Sequence, residues 1–280
     1  MPIHEASHLT PGGRSMEYVT LNNGVKMPLL GYGTYQTPAR ITERCVAEAL
    51  EAGYRSIDTA QCYGNEKEVG QALRASGIPR EKCFVTTKLW GCHGYGDTLK
   101  SIEGSLRAVN MDYIDLLLIH EPAGQVHDIY RAMETAYKEG KVRALGVSNF
   151  LEERYLDLIN HCGVIPAINQ VETHVFRQQG RLRRLECQIG TRHESWSPLA
   201  CGRNGIFGNP TLQGMAEKYR RSIAQIALRF LTQQGVIVIP RSVQGDHMRD
   251  NFDSLSFCLE AEDMKLLETL DQGRSLFNWW

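Results

Sequence analysis

The sequence predicts an α/β protein, a (β/α)8 barrel or TIM barrel with an N-terminal β-hairpin. Three observations predict it. The chain contains eight short apolar runs, helix candidates lie between them, and no linker-like break interrupts the series. Alternating strand and helix units favour a parallel sheet with right-handed crossovers, and eight such units are the number that closes a barrel.

The predicted elements begin with a hairpin. Apolar and polar residues alternate from Tyr18 to Met27 around Asn23-Gly24, a dipeptide that strongly favours a two-residue hairpin turn. The eight runs that follow are predicted to be the barrel strands. They are Leu29–Gly33, Tyr54–Asp58, Cys83–Lys88, Ile114–His120, Ala144–Ser148, Ala167–Val171, Arg192–Trp196 and Val236–Pro240.

Helix signals lie between these runs. The segment Thr42–Ala52 places its apolar residues on one helical face. Asn65 followed by Glu68 is typical of a capped helix start, and Ser222 with Gln225 forms a capping box ahead of apolar residues at helical spacing. Strand and helix therefore alternate along the chain.

The alternative to a barrel is an open, doubly wound sheet. Sheets of that kind that bind dinucleotides carry Gly-x-Gly-x-x-Gly after an early strand, where a helix begins. Here Gly31-Tyr32-Gly33 lacks the third glycine at the required offset. The barrel is therefore favoured.

The start of the chain differs in composition from the rest. Residues 1–15 hold prolines and glycines among polar residues without periodicity, which indicates a flexible N-terminal tail. Residues 16–280 are expected to form a single barrel domain, because α/β barrels of about 250 residues are common as one domain.

Charge and cysteine content narrow the functional classes. The 31 Lys and Arg residues nearly balance 32 Asp and Glu residues, giving a formal net charge of −1. That balance argues against nucleic acid or an anionic membrane as a partner. No run approaches the roughly 18 apolar residues of a membrane span, and no Cys-x-x-Cys occurs among the eight cysteines. We expect a cytoplasmic monomer with reduced thiols that acts on a small molecule.

Polar residues cluster where the predicted strands end. In a barrel, the C-terminal ends of the strands meet at the face that carries the active site. Each of these residues alone has a structural explanation, but seven strand ends together point to chemistry. The residues are Asp58, Lys88, His120, Ser148 with Asn149, Gln170, Trp196 and Arg241 with Ser242.

These strand ends resemble the aldo-keto reductase family, in the same order and at compatible spacing from about Tyr18 to Phe277. The resemblance is closest to bacterial members related to 2,5-diketo-gluconate reductases. It implies a (β/α)8 barrel, a nicotinamide cofactor, no metal and carbonyl reduction. The motifs are Ile57-Asp58-Thr59-Ala60 with Tyr63, Thr87-Lys88-Leu89-Trp90, Leu118-Ile119-His120-x-Pro122, Gly146-Val147-Ser148-Asn149-Phe150, Asn169-Gln170-Val171-Glu172, Trp196-Ser197-Pro198-Leu199 and Ile239-Pro240-Arg241-Ser242.

Carbonyl reduction needs a proton for the oxygen as well as a hydride for the carbon. Tyr63 is the expected acid, and a nearby cation must make its proton more available, since a phenol has a pKa of about 10. Lys88 can supply that charge, and Asp58 can hold Lys88 in place. His120 is expected to orient the substrate oxygen. The resemblance assigns the same four residues.

The expected cofactor is NADPH, with NADH also accepted. Ser148, Asn149 and Gln170 suit a carboxamide, and Trp196 offers a flat face for the nicotinamide ring. Arg241 offers a fork for the 2′-phosphate, but His247 stands where relatives usually have arginine, so the preference for NADPH should grow as the pH falls from about 8 to 6. The remaining residues implied for the cofactor are Thr34, Tyr35, Ser197, Leu199, Ser242, Val243 and Asn251.

The expected substrate pocket departs from the family pattern. Tyr35 and Trp90 match aromatic wall positions, but Glu121 replaces a usual aromatic residue and should disfavour anionic substrates. The alternative for Glu121 is a solvated side chain turned away. Thr173-His174-Val175 also differs from the usual loop, and the chain ends early at Trp280. We expect an open site that accepts aldehydes and small ketones.

Two other functions remain as alternatives. One is a non-catalytic subunit that binds a nicotinamide nucleotide and regulates a partner; the complete set of four catalytic residues argues against it. The other is a metal-dependent barrel hydrolase that uses His93, His120 or His174 with carboxylates. No His-x-His pair at a strand end supports such a site.

Overall fold

The computed structural model describes residues 16–277. The tail predicted at residues 1–15 therefore lies outside the described residues, as do the last three residues of the predicted domain. Within the described part, short strands alternate with helices from β3 onward. An antiparallel hairpin precedes them, formed by β1 (Tyr18–Thr20) and β2 (Lys26–Pro28).

The remaining eight strands form one parallel sheet in chain order, in which each strand pairs with the next. This order is that of a barrel wound in one direction, and it confirms the predicted fold class. The strands are β3 (Tyr32–Gly33), β4 (Ser56–Asp58), β5 (Phe84–Leu89), β6 (Leu116–Ile119), β7 (Leu145–Ser148), β8 (Ile168–Glu172), β9 (Arg192–Trp196) and β10 (Ile237–Val238).

The barrel closes where the first and last strands meet. Leu30 forms a parallel bridge with Val238, and the Gly31 amide donates to the Val238 carbonyl over 2.8 Å. A Cβ at Gly33 would lie 2.8 Å from the Ile239 carbonyl oxygen, so a side chain at this position would force the seam apart. Val238 N also donates to the Leu29 carbonyl over 3.0 Å and Gly33 N to the Pro240 carbonyl over 3.2 Å, so backbone pairing extends beyond β3 and β10, which are two residues long each.

Helices cover the outside of the sheet. The capping box at Ser222 is present, with Gln225 N donating to Ser222 Oγ over 3.1 Å and Ser222 N to Gln225 Oε1 over 3.0 Å. The helices are α1 (Ala39–Ala52), α2 (Glu66–Ala75), α3 (Gly94–Val109), α4 (Val126–Lys138), α5 (Glu152–Ile159), α6 (Gly180–Ile189), α7 (Pro210–Tyr219), α8 (Ile223–Thr232), α9 (Gly245–Phe252) and α10 (Ala261–Glu268).

The predicted cap at Asn65 is wrong in its contacts although α2 does begin after this residue. The Asn65 side chain makes no cap hydrogen bond. Its Nδ2 donates to the carbonyls of Thr34 and Thr37, and its Oδ1 accepts from Thr59 Oγ1 over 2.6 Å. The buried amide therefore joins the loop after β3 to the loop after β4, and its own donor and acceptor are satisfied by these contacts.

The hairpin covers the end of the barrel opposite the strand ends singled out above. Its Leu21 and Met27 belong to one buried cluster with Phe84, Leu116 and Ile237, which lie at or next to the beginnings of their strands. This packing leaves the C-terminal ends of the strands as the accessible mouth. None of the described helices is long and apolar enough to cross a membrane.

Candidate active site

A buried ion pair lies at the C-terminal end of the barrel. Asp58 ends β4, and Lys88 lies near the end of the adjacent β5. Lys88 Nζ donates to Asp58 Oδ1 over 2.5 Å and to the Thr59 carbonyl over 3.1 Å, and both charged side chains are almost completely buried. These partners are needed, because a buried ammonium without them would carry a large desolvation cost.

Tyr63 lies against this pair. It ends a short 3₁₀ turn, Gln61–Tyr63, that follows β4, and Lys88 Nζ donates to its hydroxyl over 3.3 Å. Lys88 thus lies between the Asp58 carboxylate and the Tyr63 phenol. The structure brings these three predicted residues together, in the arrangement that the sequence analysis required for a proton donor.

The environment keeps both Lys88 and Tyr63 protonated. Burial raises the pKa of Tyr63 to about 12, against the opposing effect of the Lys88 ammonium. Burial acts to lower the pKa of Lys88, but the charges of Asp58 and Tyr63 and the hydrogen bond to Asp58 together raise it. The Lys88 ammonium thus acts to lower the pKa of Tyr63, as expected, but burial raises that pKa by more. The ammonium would stabilise a phenolate formed when the proton leaves.

His120 lies on the other side of Tyr63. It follows β6, and its ring meets the Tyr63 ring edge-on with 5.6 Å between the centroids. Burial, followed by the Lys88 charge, lowers the pKa of His120 to about 3. The imidazole is therefore neutral, with one nitrogen as donor and the other as acceptor.

Cys62 is a neighbour of His120 that the sequence analysis missed. Its Sγ lies 3.5 Å from His120 Nδ1, and burial raises the pKa of the thiol, so the thiol keeps its proton. A thiol that donates to Nδ1 favours the tautomer with the ring proton on Nε2. Position beside Tyr63 was the only sequence signal for this contact.

The groups predicted to hold a carboxamide lie together on neighbouring strands. Ser148 at the end of β7 is paired in register with Gln170 on β8, and both are buried. Asn149 follows with a φ of 64°, in the left-handed region that asparagine tolerates better than most residues. Its Oδ1 accepts from Trp196 Nε1 over 2.8 Å, which fixes the edge of the indole at the end of β9.

Glu194 is a second residue that the sequence analysis missed. Gln170 Nε2 donates to Asp58 Oδ2 and to Glu194 Oε2, each over 2.9 Å. Burial, and then the Asp58 charge, raises the pKa of Glu194 to about 8, so this carboxyl is mainly protonated at neutral pH. A sequence signal did exist: Glu194 lies two residues before Trp196 and therefore on the same face of the strand.

Two aromatic residues flank the mouth. The Tyr35 ring packs against the Tyr63 ring at 5.1 Å, and the Trp90 ring meets the His120 ring at 5.2 Å. Tyr35 and Trp90 are 45% and 52% exposed, so each has one part in the site and another in solvent. Both predicted wall residues therefore lie beside the predicted catalytic groups.

Glu121 is turned inward. Its Oε1 accepts from Asn149 Nδ2 over 3.0 Å, and its Oε2 is buried without a hydrogen-bond partner in the described part of the chain. The alternative of a solvated side chain turned away is therefore wrong, because the Asn149 amide holds the carboxyl. Burial raises the pKa of Glu121 to about 7. The expected negative charge at the pocket edge is consequently present only above neutral pH.

The segment after β10 holds the residues predicted for the 2′-phosphate. Arg241 is exposed, and its Nη2 donates to the Gln36 carbonyl over 2.7 Å. Ser242 Oγ donates to the Gln244 carbonyl and accepts from the Gln244 amide, so this hydroxyl is engaged in the turn. Among the others, His247 is exposed on α9, whereas Val243 is half-buried and Asn251 is buried.

Three further residues implied for the cofactor support the loops of the mouth. Thr34 Oγ1 donates to the Asp58 carbonyl over 2.9 Å. Ser197, directly after Trp196, has a φ of 53°, and its Oγ lies 3.1 Å from Cys201 Sγ. Leu199 packs against the main apolar core.

The end of the described chain reaches the mouth. Ser275 Oγ and Leu276 N donate to the Glu172 carboxylate over 2.6 and 2.9 Å. The Phe277 ring then meets the Trp196 ring at 5.1 Å. Although the sequence predicts a comparatively open site, Phe277 walls the side of the mouth next to Trp196.

Within the described residues, no group of possible metal ligands at the strand ends supports the alternative of a metal-dependent hydrolase. In residues 16–277, one group of His, Cys, Asp and Glu side chains could hold a metal ion, with ligand atoms within 4.8 Å of one another; its members are His127, Asp157 and His161. His127 lies on α4, Asp157 lies on α5 and His161 follows α5, and all three side chains are exposed. The histidines of that alternative, His93, His120 and His174, do not belong to it, and His174 Nε2 instead lies 3.1 Å from Glu172 Oε1.

Comparisons with known proteins agree with this geometry. The model of the Aldo/keto reductase family matches residues 29–204 and 207–272. The methylglyoxal reductase DkgA of Yersinia pestis is 40% identical over 264 residues, covering 92% of this chain and 94% of that protein.

Solved structures are similarly close. The aldo-keto reductase MGS-M4, from a deep-sea metagenome library of the Medee basin, is 42% identical, with a TM-score of 0.91 over 92% of this chain and 97% of its own. A mutant of Gox0644 solved in complex with NADPH is 37% identical, with a TM-score of 0.88 over 93% and 96% of the two chains. With the family model matching most of its length and relatives near 40% identity, this chain belongs to the aldo/keto reductase family.

Proposed function

We propose that this chain is an NADPH-dependent carbonyl reductase of aldehydes and small ketones, with Tyr63 as the general acid. The observation that carries the proposal is the position of Lys88 Nζ, buried within hydrogen-bond reach of both Asp58 and Tyr63. Family membership supports carbonyl reduction. The methylglyoxal reductase and the NADPH complex among its relatives support the substrate class and the cofactor.

The chemistry of the donor set fits a nicotinamide dinucleotide. Ser148, Asn149 and Gln170 place a hydroxyl and two amides on neighbouring strand ends, which suits a carboxamide, and Trp196 offers an indole beside them. The bound cofactor would supply a hydride to the carbonyl carbon. The protein would hold the ring end beside Tyr63 and His120.

The protein's own task is to protonate the oxygen. The Tyr63 hydroxyl keeps its proton until negative charge develops on the substrate oxygen, and the Lys88 ammonium then stabilises the phenolate. Neutral His120 donates from Nε2 to the same oxygen and orients it. Asp58 acts through Lys88, which it keeps charged and in place.

The preference for NADPH is proposed to rest on the segment after β10. Arg241 offers a guanidinium that can bind a phosphate with two parallel hydrogen bonds. His247 lies exposed on the neighbouring helix and can add a hydrogen bond to the same phosphate. Dual use of NADPH and NADH, with NADPH preferred, follows from this pair.

Substitution of Tyr63 by phenylalanine tests the proposal. Tyr63→Phe should slow NADPH-dependent reduction of methylglyoxal by about 10²-fold or more, while the Kd for NADPH changes little, because only the proton donor is lost. Tyr18→Phe, which removes an exposed hydroxyl of the hairpin, is the matched control. Near-normal turnover by Tyr63→Phe would remove this residue from the mechanism.

The same assay addresses the alternative of a non-catalytic regulatory subunit. Such a subunit would bind NADPH, as followed by protein fluorescence, but would not oxidise it with any member of an aldehyde panel. The presence of all four groups, Asp58, Tyr63, Lys88 and His120, around one mouth favours the enzyme.

We further propose that the protein works as a monomer in the cytoplasm. All eight cysteines are free, which suits a reducing compartment. Sedimentation analysis at working concentration checks the monomer, and fractionation of the native cells checks the compartment.

A further inference from the structure

Below the proposed catalytic residues lies a buried polar layer with members from β4, β5, β8 and β9. Asp58, Lys88, Gln170 and Glu194 are each at most 2% exposed. Gln170 and Glu194 are register partners on adjacent strands, so their side chains enter the barrel side by side. Glu194 has no role in the proton transfer described above.

The two carboxyl groups fix the orientation of the Gln170 amide. Both hydrogens of Nε2 are engaged, one by Asp58 Oδ2 and one by Glu194 Oε2. A flipped amide would place its oxygen against these same carboxyl oxygens, and acceptor would then face acceptor. The amide oxygen of Gln170 is therefore the atom left to accept a hydrogen bond from a ligand.

The charge of this layer balances only when Glu194 is neutral. The charged groups that face it are the Asp58 carboxylate on β4 and the Lys88 ammonium on β5. Ionised Glu194 would add a second buried carboxylate, and among residues 16–277 its Oε1 has no hydrogen-bond partner to compensate that charge. In the neutral form, Oε1 carries the proton and Oε2 accepts from Gln170.

We infer that Glu194 is a positioning residue, which as a neutral carboxylic acid holds the Gln170 amide oxygen toward the carboxamide of the nicotinamide cofactor and whose ionisation sets the alkaline limit of the reduction. This inference rests on the proposed function. Ionisation acts in two ways: it disturbs the contact that orients Gln170, and it places a second negative charge near Lys88, which weakens the help that Lys88 gives to Tyr63.

The titration of the site agrees with this role. The pKa of Tyr63 is raised to about 12 and that of His120 is lowered to about 3, so neither changes charge near pH 8. Burial raises the pKa of Glu194 to about 8. Glu121, with a pKa raised to about 7, lies at the rim and contacts Asn149 rather than Gln170.

Three variants separate the two roles of Glu194, as the hydrogen-bond acceptor for Gln170 and as an ionisable group. Glu194→Gln keeps an acceptor for Gln170 but has no ionisable group, Glu194→Ala removes both, and Glu262→Gln changes an exposed glutamate on α10 as the control. For the parent, we expect kcat/KM for methylglyoxal to fall up to about tenfold for each pH unit above pH 8. The fall should vanish in Glu194→Gln and persist in Glu262→Gln.

Cofactor binding gives a second readout at neutral pH. The Kd for NADPH should rise about tenfold in Glu194→Ala, because the Gln170 amide loses a buried acceptor, and should change less than about threefold in Glu194→Gln. A fall in kcat/KM that persists unchanged in Glu194→Gln would overturn the inference. So would equal Kd values for the parent and Glu194→Ala.

Infrared difference spectroscopy of the protein without cofactor supplies a readout that needs no turnover. A protonated-carboxyl band should titrate near pH 8 in the parent and in Glu262→Gln, and should be missing in Glu194→Gln and Glu194→Ala. If the parent reduced no carbonyl, the proposed function would be contradicted, but the band would still show whether Glu194 is protonated. Absence of the band at pH 7 would overturn the inference, even with full reductase activity.

Discussion

Two ends of the proposed cofactor site differ in how their polar groups are held. Asp58, Lys88 and Gln170 are buried, and each hydrogen-bonds to another member of the buried layer. Arg241 and His247 are exposed at the other end, where Arg241 donates to a loop carbonyl. Buried groups that are fixed during folding can stabilise one transition-state geometry. Exposed groups instead adjust to a ligand, and salt screens their charges. Substitutions should therefore affect stability and the chemical step at the buried end, and cofactor choice at the exposed end.

The largest effect is expected at the buried end. Lys88→Met removes the ammonium and leaves the Asp58 carboxylate buried without its partner, which should lower the free energy of unfolding by about 3–5 kcal/mol. The matched control is Lys141→Met, because Lys141 pairs with Glu103 and Glu139 at the surface. Exposed pairs contribute at most about 1 kcal/mol. Urea denaturation at pH 7 measures both variants, and equal losses would contradict the contrast between buried and exposed ends.

An intermediate effect is expected at the exposed end. Arg241→Ala should raise KM for NADPH about tenfold and leave the kinetics with NADH nearly unchanged, because only the 2′-phosphate loses a charged partner. His247→Arg should increase the ratio of kcat/KM for NADPH over NADH, because it adds a guanidinium for the 2′-phosphate. NADH serves as the internal control.

Two outcomes would show that the phosphate has been assigned to the wrong residues. One is a strict preference for NADH at every pH. The other is an NADPH preference that neither substitution changes. A loss of turnover with NADH in Arg241→Ala would instead erase the distinction between the two ends, since the exposed end would then take part in the chemical step.

The smallest effect is expected at Glu121, whose side chain is less buried than Asp58 and Lys88 and less exposed than Arg241. Burial raises its pKa to about 7, so the carboxyl is neutral below that pH and charged above it. As the pH rises from about 6 to 8, kcat/KM for an anionic aldehyde such as glyoxylate should fall several-fold relative to that for neutral methylglyoxal, because like charges then face each other. Glu121→Gln should abolish this trend. Identical profiles for parent and variant would remove Glu121 from substrate selection.

Much of the fold could be predicted because buried parallel strands appear in a sequence as short continuous apolar runs. Polar residues that interrupt those runs at their ends were therefore conspicuous, and Asp58 and Lys88 do lie together. Register between strands was less accessible. The spacing from Trp196 places Glu194 on the inward face of its strand, but its pairing with Gln170 depends on the register between two strands, which neither segment contains.

Side-chain partners were the least predictable feature. Asn65 follows the pattern of a helix cap, yet its amide joins two loops, because the chain brings Thr34 and Thr59 to it from elsewhere. The contact between Cys62 and His120 likewise joins residues that are far apart in the sequence. Such contacts depend on tertiary packing, which overrides local preference.

The seam at which Leu30 meets Val238 bears on how the protein is made. A growing chain carries β3 from the outset, but its partner β10 appears only after more than two hundred further residues have been added. Until then the sheet has an unpaired edge, which can recruit other chains, and its polar ends enclose no pocket. We therefore expect incomplete chains on the ribosome to depend on chaperones. The barrel can close only once Val238 has left the exit tunnel, and the wall of the mouth beside Trp196 is complete only when Phe277 has followed.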